Sequence, residues 1–498
     1  MSLLVLVVVA YPILLLGISL WRSRKVKSHA DFMVAGRDVP VLLLVGTLVC
    51  TWIGSGSLFG GAGLAYRVGI AELWFSFGAW LGLIVAYFLA GRVRRIAQYT
   101  VPDLLEKRYN PTARLLGSLA IILAYVTIAA YQFRGGGWIL SIVTDGAVTP
   151  TQGMLITAAV IVTFTALAGM VSIVTVDIFN GLVITGAILL ALPYMVFSNG
   201  GLAEVLAALP DGHKTVMGGH NVLWVFGVAL PTFLLLLGES GMYQKFFSAR
   251  DDRAARRAVI GMVLGVILIE TTLALLAIVG RAVYPDLVEQ MTVIGVAASE
   301  TIILYIAAQG LPVLLGAALL AAAVAIVLST GNTFLLVPST NVSHDIYERF
   351  ISPDATEAKK LAVQRAFVVL FGAAGLLLLT QFDTVLAMAL YAYSLVGASL
   401  TPALLAAFLW KRVTPAGGVA CIAGGLVSIV GIGLLDRFGV DFTITLGGDP
   451  FNLAAYDYIV IPGVITSITL MVVVSLLTPP SPPEKWAPFF TKESTGAV

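Results

Sequence analysis

The stretch from Val45 to Tyr66, VGTLVCTWIGSGSLFGGAGLAY, constrains this chain more than any other. It is long and apolar enough to cross a bilayer, yet Gly54, Gly56, Gly60, Gly61 and Gly63 crowd its second half, with Ser55 and Ser57 between them. In water such a run would be a loop. In hydrocarbon each unsatisfied amide or carbonyl costs several kcal/mol, so an exposed loop is excluded. Unwound backbone at that depth survives only where it is buried in protein or lines a polar cavity, and there its free carbonyls can hold a cation. The expectation is a broken membrane helix of an ion-coupled carrier.

The rest of the chain supplies the membrane setting. Of its 498 residues, 59% are hydrophobic and 11% charged, against roughly 25% charged in soluble domains. The apolar residues recur in blocks of roughly 20, the length that crosses a ~30 Å hydrocarbon core as a helix. About thirteen segments can be placed, at 3–21, 39–66, 71–91, 114–143, 150–169, 172–197, 222–247, 259–283, 311–342, 362–381, 384–410, 415–435 and 456–478. The expected fold class is an all-α polytopic membrane protein embedded in a lipid bilayer. Nearly all basic residues, from Arg22 through Lys245 and Arg250 to Lys492, fall after odd-numbered segments or in the tail. Only Arg67, Lys214, Arg281 and Arg437 lie on the other side. Basic loops stay in the cytoplasm. The N-terminus is therefore expected outside and the C-terminus inside, in a cell (inner) membrane.

A formal charge of +2 gives no argument for a nucleic-acid partner. Cys50 and Cys421 both lie in apolar blocks and suggest no disulfide framework. The first block reads as a retained helix, not a signal peptide. The Pro-rich stretch after 478 reads as a disordered tail.

Four ionisable residues fall at membrane depth: Arg134, Asp177, Glu239 and Glu270. Each is a candidate for function or for internal pairing. Segment seven carries Pro231 and then LLLLGESGMYQKFF, in which Gly238, Ser240 and Gly241 interrupt the helix as the glycines do in segment two. Broken helices five segments apart point to two inverted five-helix repeats with a site at the midplane. The repeats would be 39–197 and 198–410, flanked by 1–38 and 411–478, with 479–498 as the tail. In segment nine Ser329 and Thr330 are adjacent hydroxyls in an Ala-rich run; alone they would be read as back-bonding to the preceding turn.

Rival classes have less support. A channel would need a filter sequence or a ring of charges, and none recurs. His29, His213, His220 and His344 include no pair at metal-ligand spacing, and GSGSLFGG has neither the Lys nor the preceding strand of a nucleotide loop. No enzyme is expected.

Taken in order, several pieces resemble the sodium/solute symporters, the family of bacterial proline and pantothenate carriers and of sodium/glucose and choline cotransporters. They are AGRDVP before the broken helix, TLVCTWIGSGSLFGG within it, TVDIFNG, LLAAAVAIVLST followed by NVSHDIY, and WKRVTPAGGVACIAGG. The similarity runs over nearly the whole chain. It implies a LeuT-like fold of about thirteen helices, alternating access, a functional monomer, and sodium as the coupling ion of a small-molecule solute. The family's sodium site would map to the carbonyls of Cys50, Ile53 and Ile326 and the hydroxyls of Ser329 and Thr330. That set suits a hard cation, which wants oxygen ligands. Asp177 matches the family's acidic residue on the ion route; the other reading is a carboxylate capped by hydroxyls such as that of Thr175. The chain also departs from its relatives. Trp52 stands where proline carriers have an acid. Ile128 and Met242 stand where choline carriers have further Trp residues, so the ring faces of a choline cage are missing.

The solute is expected between the two breaks. Candidate contacts are Trp52, Ser55, Ser57, Gln132, Arg134, Glu239, Ser240, Tyr391, Tyr393 and Ser394. Arg134 has two readings: a fork for a substrate carboxylate, or a pair with Glu239 or Glu270. The first implies an acid or zwitterion, the second a neutral solute. The expected function is sodium-coupled import of a small polar organic solute, a carboxylate or amino acid among the options. A proton-coupled carrier of the same fold is the alternative, and a channel a more distant one.

Overall fold

A computed structural model describes residues 3–23, 39–96, 98–290, 295–446 and 449–490. The loop at 24–38 and the end of the tail, 491–498, both read above, lie outside the described residues, as does the side chain of Thr175. Among the described residues, eleven helices are long and apolar enough to cross a membrane, and two shorter apolar ones, Leu3–Ile18 and Val41–Trp52, accompany them. Large apolar side chains such as Leu42, Phe88, Leu182, Phe197, Leu264, Leu314 and Leu477 point outward. In water this would be a severe exposure; against lipid it is the normal surface of a bundle.

The exact count of thirteen spans is not established, although Pro150–Leu167 and Val176–Ser198 are each long and apolar enough to cross. The expected segments at 150–169 and 172–197 lie within one helical stretch, Pro150–Ser198. The second half of segment two runs on into segment three as Gly56–Ile96. Segments two and three are still divided by a turn at Gly69, where φ is +67°. A Cβ there would lie 2.3 Å from the His213 carbonyl oxygen. Only glycine permits so abrupt a reversal, and a short 3-10 turn, Gly69–Glu72, then leads straight into Leu73–Ile96.

Helix starts follow capping chemistry. Thr100 and Thr149 open capping boxes with Asp103 and Gln152, and Asn110, Asn221, Asp251, Thr384 and Thr414 cap with their side chains. Burial separates core from rim. The best apolar windows of Val385–Leu409 and Val313–Ile351 are 89% and 78% buried, while those of Pro415–Arg437 and Val460–Leu477 are 33% and 28% buried. The last two are therefore peripheral. A small exposed hairpin, Thr443–Leu446 with Asp449–Asn452, joins them.

The two broken helices run antiparallel. Val39, at the entrance to the first, pairs with the backbone just past the end of the second, through Val39 N to Ser248 O (3.1 Å) and Arg250 N to Val39 O (3.2 Å). Nearby, the end of the bundle that carries the basic loops is tied by ions. Arg114 bridges Asp103 at 2.7 Å, Asp345 at 2.8 Å and Glu106 at 2.8 Å. His344 spans Asp103 at 3.1 Å and Glu348 at 2.8 Å. Burial pushes the Asp103 carboxyl up, but its bond to His344 and the Arg114 guanidinium together hold it below the usual 3.8. The side-chain oxygens and nitrogens of Asp103, His344 and Asp345 approach one another closely, and Arg114 and His344 already pair with those carboxylates. The tail departs from the expected disorder: Pro483–Phe490 is a helix, with Phe489 buried against Phe408 at 5.4 Å.

Candidate ion and solute site

Both breaks have the same cause. Val41–Trp52 ends because Ile53 turns extended, at ψ 93°, ahead of Gly54. Val222–Gly238 ends at Glu239, at ψ 103°. Helical hydrogen bonding lapses at each point, leaving carbonyls to find other partners. At the first break the partners come from segment nine. Thr330 Oγ1 donates to Cys50 O and Ile53 O, both at 3.3 Å. Ser329 Oγ lies 3.5 Å from Cys50 O and donates to Asp177 Oδ1 at 2.5 Å. Oxygens 3.3–3.5 Å apart are looser than an ordinary hydroxyl bond of about 2.7–2.8 Å, and this is spacing that oxygens sharing one cation can hold. Ile326 is fully buried one turn earlier on the same helix. A Cβ on Gly54 would stand 2.9 Å from Thr330, so the close approach needs that glycine.

Asp177 is nearer to this set than a place along a route implies. Its Oδ2 also accepts from Thr47 Oγ1 at 2.5 Å, and its carbonyl accepts from Cys50 Sγ at 3.2 Å. Lys245, read from the sequence as a loop charge on the basic side, is instead fully buried. Its Nζ donates to Thr47 O at 2.9 Å and to Thr51 Oγ1, and stands 3.9 Å from Asp177 Oδ2. The reason is the second break, which carries Ser240–Ser248 back into the protein as a helix whose nine residues are all buried.

The opposite face of the same broken helix meets another carboxylate. Glu270 Oε1 accepts from Trp52 Nε1 at 2.9 Å and Ser57 Oγ at 3.1 Å, and its Oε2 from Trp80 Nε1 at 2.9 Å. Tyr393 completes the wall. Its ring stacks on Trp52 and on Phe75 with centroids 6.5 and 6.4 Å apart, and its hydroxyl lies 3.4 Å from that of Tyr131.

The expected solute contacts therefore separate. Trp52, Ser57 and Tyr393 gather around Glu270. Ser55 and Gln132 brace the break instead, with Gln132 Oε1 accepting from Ser55 N and Oγ at 3.1 and 2.6 Å. Glu239 caps the second half-helix, accepting from Gly241 N, Met242 N and Tyr125 Oη, and Ser240 N donates to that same Tyr125 hydroxyl. Arg134 meets neither Glu239 nor Glu270; its Nη2 donates to the carbonyls of Leu379 and Phe382 at 2.6 and 2.7 Å, at the end of another helix. Those carbonyls are the terminal acceptors a helix leaves unpaired. Ser394 back-bonds to Leu390 O at 2.7 Å. Tyr391 lines a cavity of about 370 Å³ with Phe382, Arg437 and Tyr456, away from the break.

Sequence reasoning missed Lys245, Thr47, Thr51 and Trp80. Thr47 and Cys50 sit at helical spacing on the face toward Asp177, which was available from the sequence. Nothing local marks Trp80.

A family model, the sodium:solute symporter family, matches residues 32–425. The sodium/pantothenate symporter of Escherichia coli K12 is 26% identical over 86% of this chain and 90% of its own length. The osmoregulated proline transporter OpuE of Bacillus subtilis is 24% identical over 94% and 93%. Among solved structures, a Na+-coupled sialic acid symporter in a substrate-bound outward-open state superposes with a TM-score of 0.76 at 16% identity, covering 96% of this chain and 99% of that one. Mhp1, a nucleobase-cation-symport-1 transporter, follows at 0.56 and 13%, covering 93% and 99%. These likenesses establish the LeuT-like fold. The chain belongs to the sodium:solute symporter family.

Proposed function

We propose that this protein is a sodium-coupled symporter that carries a small polar organic solute by alternating access, with its N-terminus outside and its C-terminus in the cytoplasm. The observation that carries the reading is the meeting of the Ser329 and Thr330 hydroxyls with the Cys50 and Ile53 carbonyls at the break. Those oxygens, with the Ile326 carbonyl, would hold the ion; bound there, it supplies positive charge that ties segment nine to segment two. Asp177 would draw the cation toward Ser329 and set its affinity. The solute group lies on the other face of the same helix, at Trp52, Ser57 and Tyr393. Ion and solute thus act on one unwound element, and coupling between them is reciprocal for binding.

The test is uptake into proteoliposomes under an inward sodium gradient, with labelled amino acids, monocarboxylates, amines and sugars offered together. Uptake of one class that collapses when potassium replaces sodium is the expected result. Uptake indifferent to sodium would contradict the proposal. One observation favours a second reading. The buried Asp177–Lys245 pair beside the ion oxygens could take part in proton coupling, and uptake driven by a pH gradient without sodium would select it.

A further inference from the structure

Among the described residues, no basic side chain inside the bundle bonds Glu270, whose donors are Trp52, Ser57 and Trp80. Lys245 stands by Asp177, Arg134 lies on two carbonyls, Arg67 bonds Ser299 Oγ at 2.7 Å, and Arg281 bonds Pro285 O. Glu270, only 4% exposed, has none of them. Its three donors are two indole N–H groups and a hydroxyl. An indole nitrogen can only donate, so both carboxyl oxygens act as acceptors, and the ionised form meets all three donors. A buried carboxylate with no counter-charge is costly and tends to mark function.

Its surroundings narrow what could balance it. Glu72, Ser76 and Trp80 stand at successive four-residue steps on one face leading to Glu270. Glu72 is 2% exposed; its Oε1 accepts from Ser76 at 3.1 Å, while its Oε2 has no hydrogen-bond partner. An anionic solute would meet two buried carboxylates. A neutral solute would leave an ionised Glu270 uncompensated. A bare metal cation would find aromatic rings where it needs further oxygens. An ammonium group fits both features, because the carboxylate supplies charge and the Trp52, Tyr393 and Phe75 rings supply faces that attract an organic cation.

We propose that the transported solute carries a positively charged amine, and that Glu270 is the group that receives it. This rests on the symporter reading above and names the substrate class of that site. Any carboxylate the solute also carries would point away from Glu72 and Glu270.

The experiment is the melting temperature of the purified full-length protein in sodium, measured with compounds matched except for the amine. The pairs are alanine against lactate, proline against tetrahydrofuran-2-carboxylate, and ethanolamine against ethylene glycol. The proposal expects at least one amine to raise the melting temperature while its partner does not, and E270Q to lose that rise. Stabilisation by a deaminated partner equal to that by its amine would overturn it, and so would failure of every amine. A rise that persists undiminished in E270Q would overturn the role given to Glu270. The wild-type comparison decides even where E270Q does not fold. Sodium alone is measured in parallel. A missing sodium shift counts against the symporter reading, whereas a sodium shift without preference for the amines overturns only this inference.

Discussion

Two buried carboxylates touch the same broken helix and are treated differently. Asp177 meets the face that carries Thr47 and Cys50, and the protein supplies a cation of its own, Lys245, 3.9 Å away. Glu270 meets the face that carries Trp52, about 200° around a helix from Cys50, and receives only neutral donors. The first charge is balanced within the fold, and the second is left for something that arrives. In the proposed carrier the balanced acid would tune an ion site without holding the ion too tightly to release it, while the unbalanced one would give a solute a reason to enter.

The largest expected effect falls on the balanced pair. K245M strands the Asp177 carboxylate in a dry interior and should cost about 3–5 kcal/mol of stability, the usual loss when one member of a buried pair is removed. Much of that should return in K245M/D177N. E270Q removes a charge that has no partner and should cost less, about 1–3 kcal/mol, as expected for disturbed hydrogen bonds. Thermal unfolding of the three variants in detergent checks the order. If E270Q proves as damaging as K245M, the distinction between the two acids fails.

A middle-sized effect concerns affinity. Asp177 accepts from Ser329, and hydrogen bonds to charged groups contribute about 1.5–3 kcal/mol. D177N should therefore raise the sodium concentration for half-maximal binding by roughly tenfold or more. An unchanged sodium titration would remove Asp177 from the ion site and leave it a packing pair with Lys245.

The smallest effect tests a candidate solute contact whose hydroxyl is engaged within its own helix. Ser394 spends its hydroxyl on the Leu390 carbonyl, so S394A should change stability by no more than about 0.5 kcal/mol and leave uptake kinetics unchanged. A marked rise in KM would return Ser394 to the solute.

The sequence made one half of this comparison legible and hid the other. Gly54 and Gly238 announce the breaks because further glycines and serines cluster beside them within the spanning runs, and Ser329 and Thr330 stood out as paired hydroxyls in an alanine-rich helix. What those hydroxyls touch, the Cys50 and Ile53 carbonyls at the break, could be expected from family likeness. Lys245 could not be read this way. A lysine at the end of an apolar run normally reaches for the interface, and only the fold brings Asp177, Thr47 and Thr51 around it. Arg134 misled for the opposite reason. Its depth suggested a ligand, but the carbonyls of Leu379 and Phe382 claim it, and no local pattern shows where another helix will end. The tail shows composition being outvoted: its prolines suggested disorder, yet Phe489 finds a pocket beside Phe408, and burying such a ring is worth about 1.5–3 kcal/mol.

The most direct test of the central claim is the sodium dependence of melting temperature in the wild type and in S329A/T330A, with potassium as the control. The account predicts a rise with sodium, none with potassium, and loss of the sodium rise in the double variant. An equal sodium rise in both proteins would contradict it, because the hydroxyls at the break would then hold no ion.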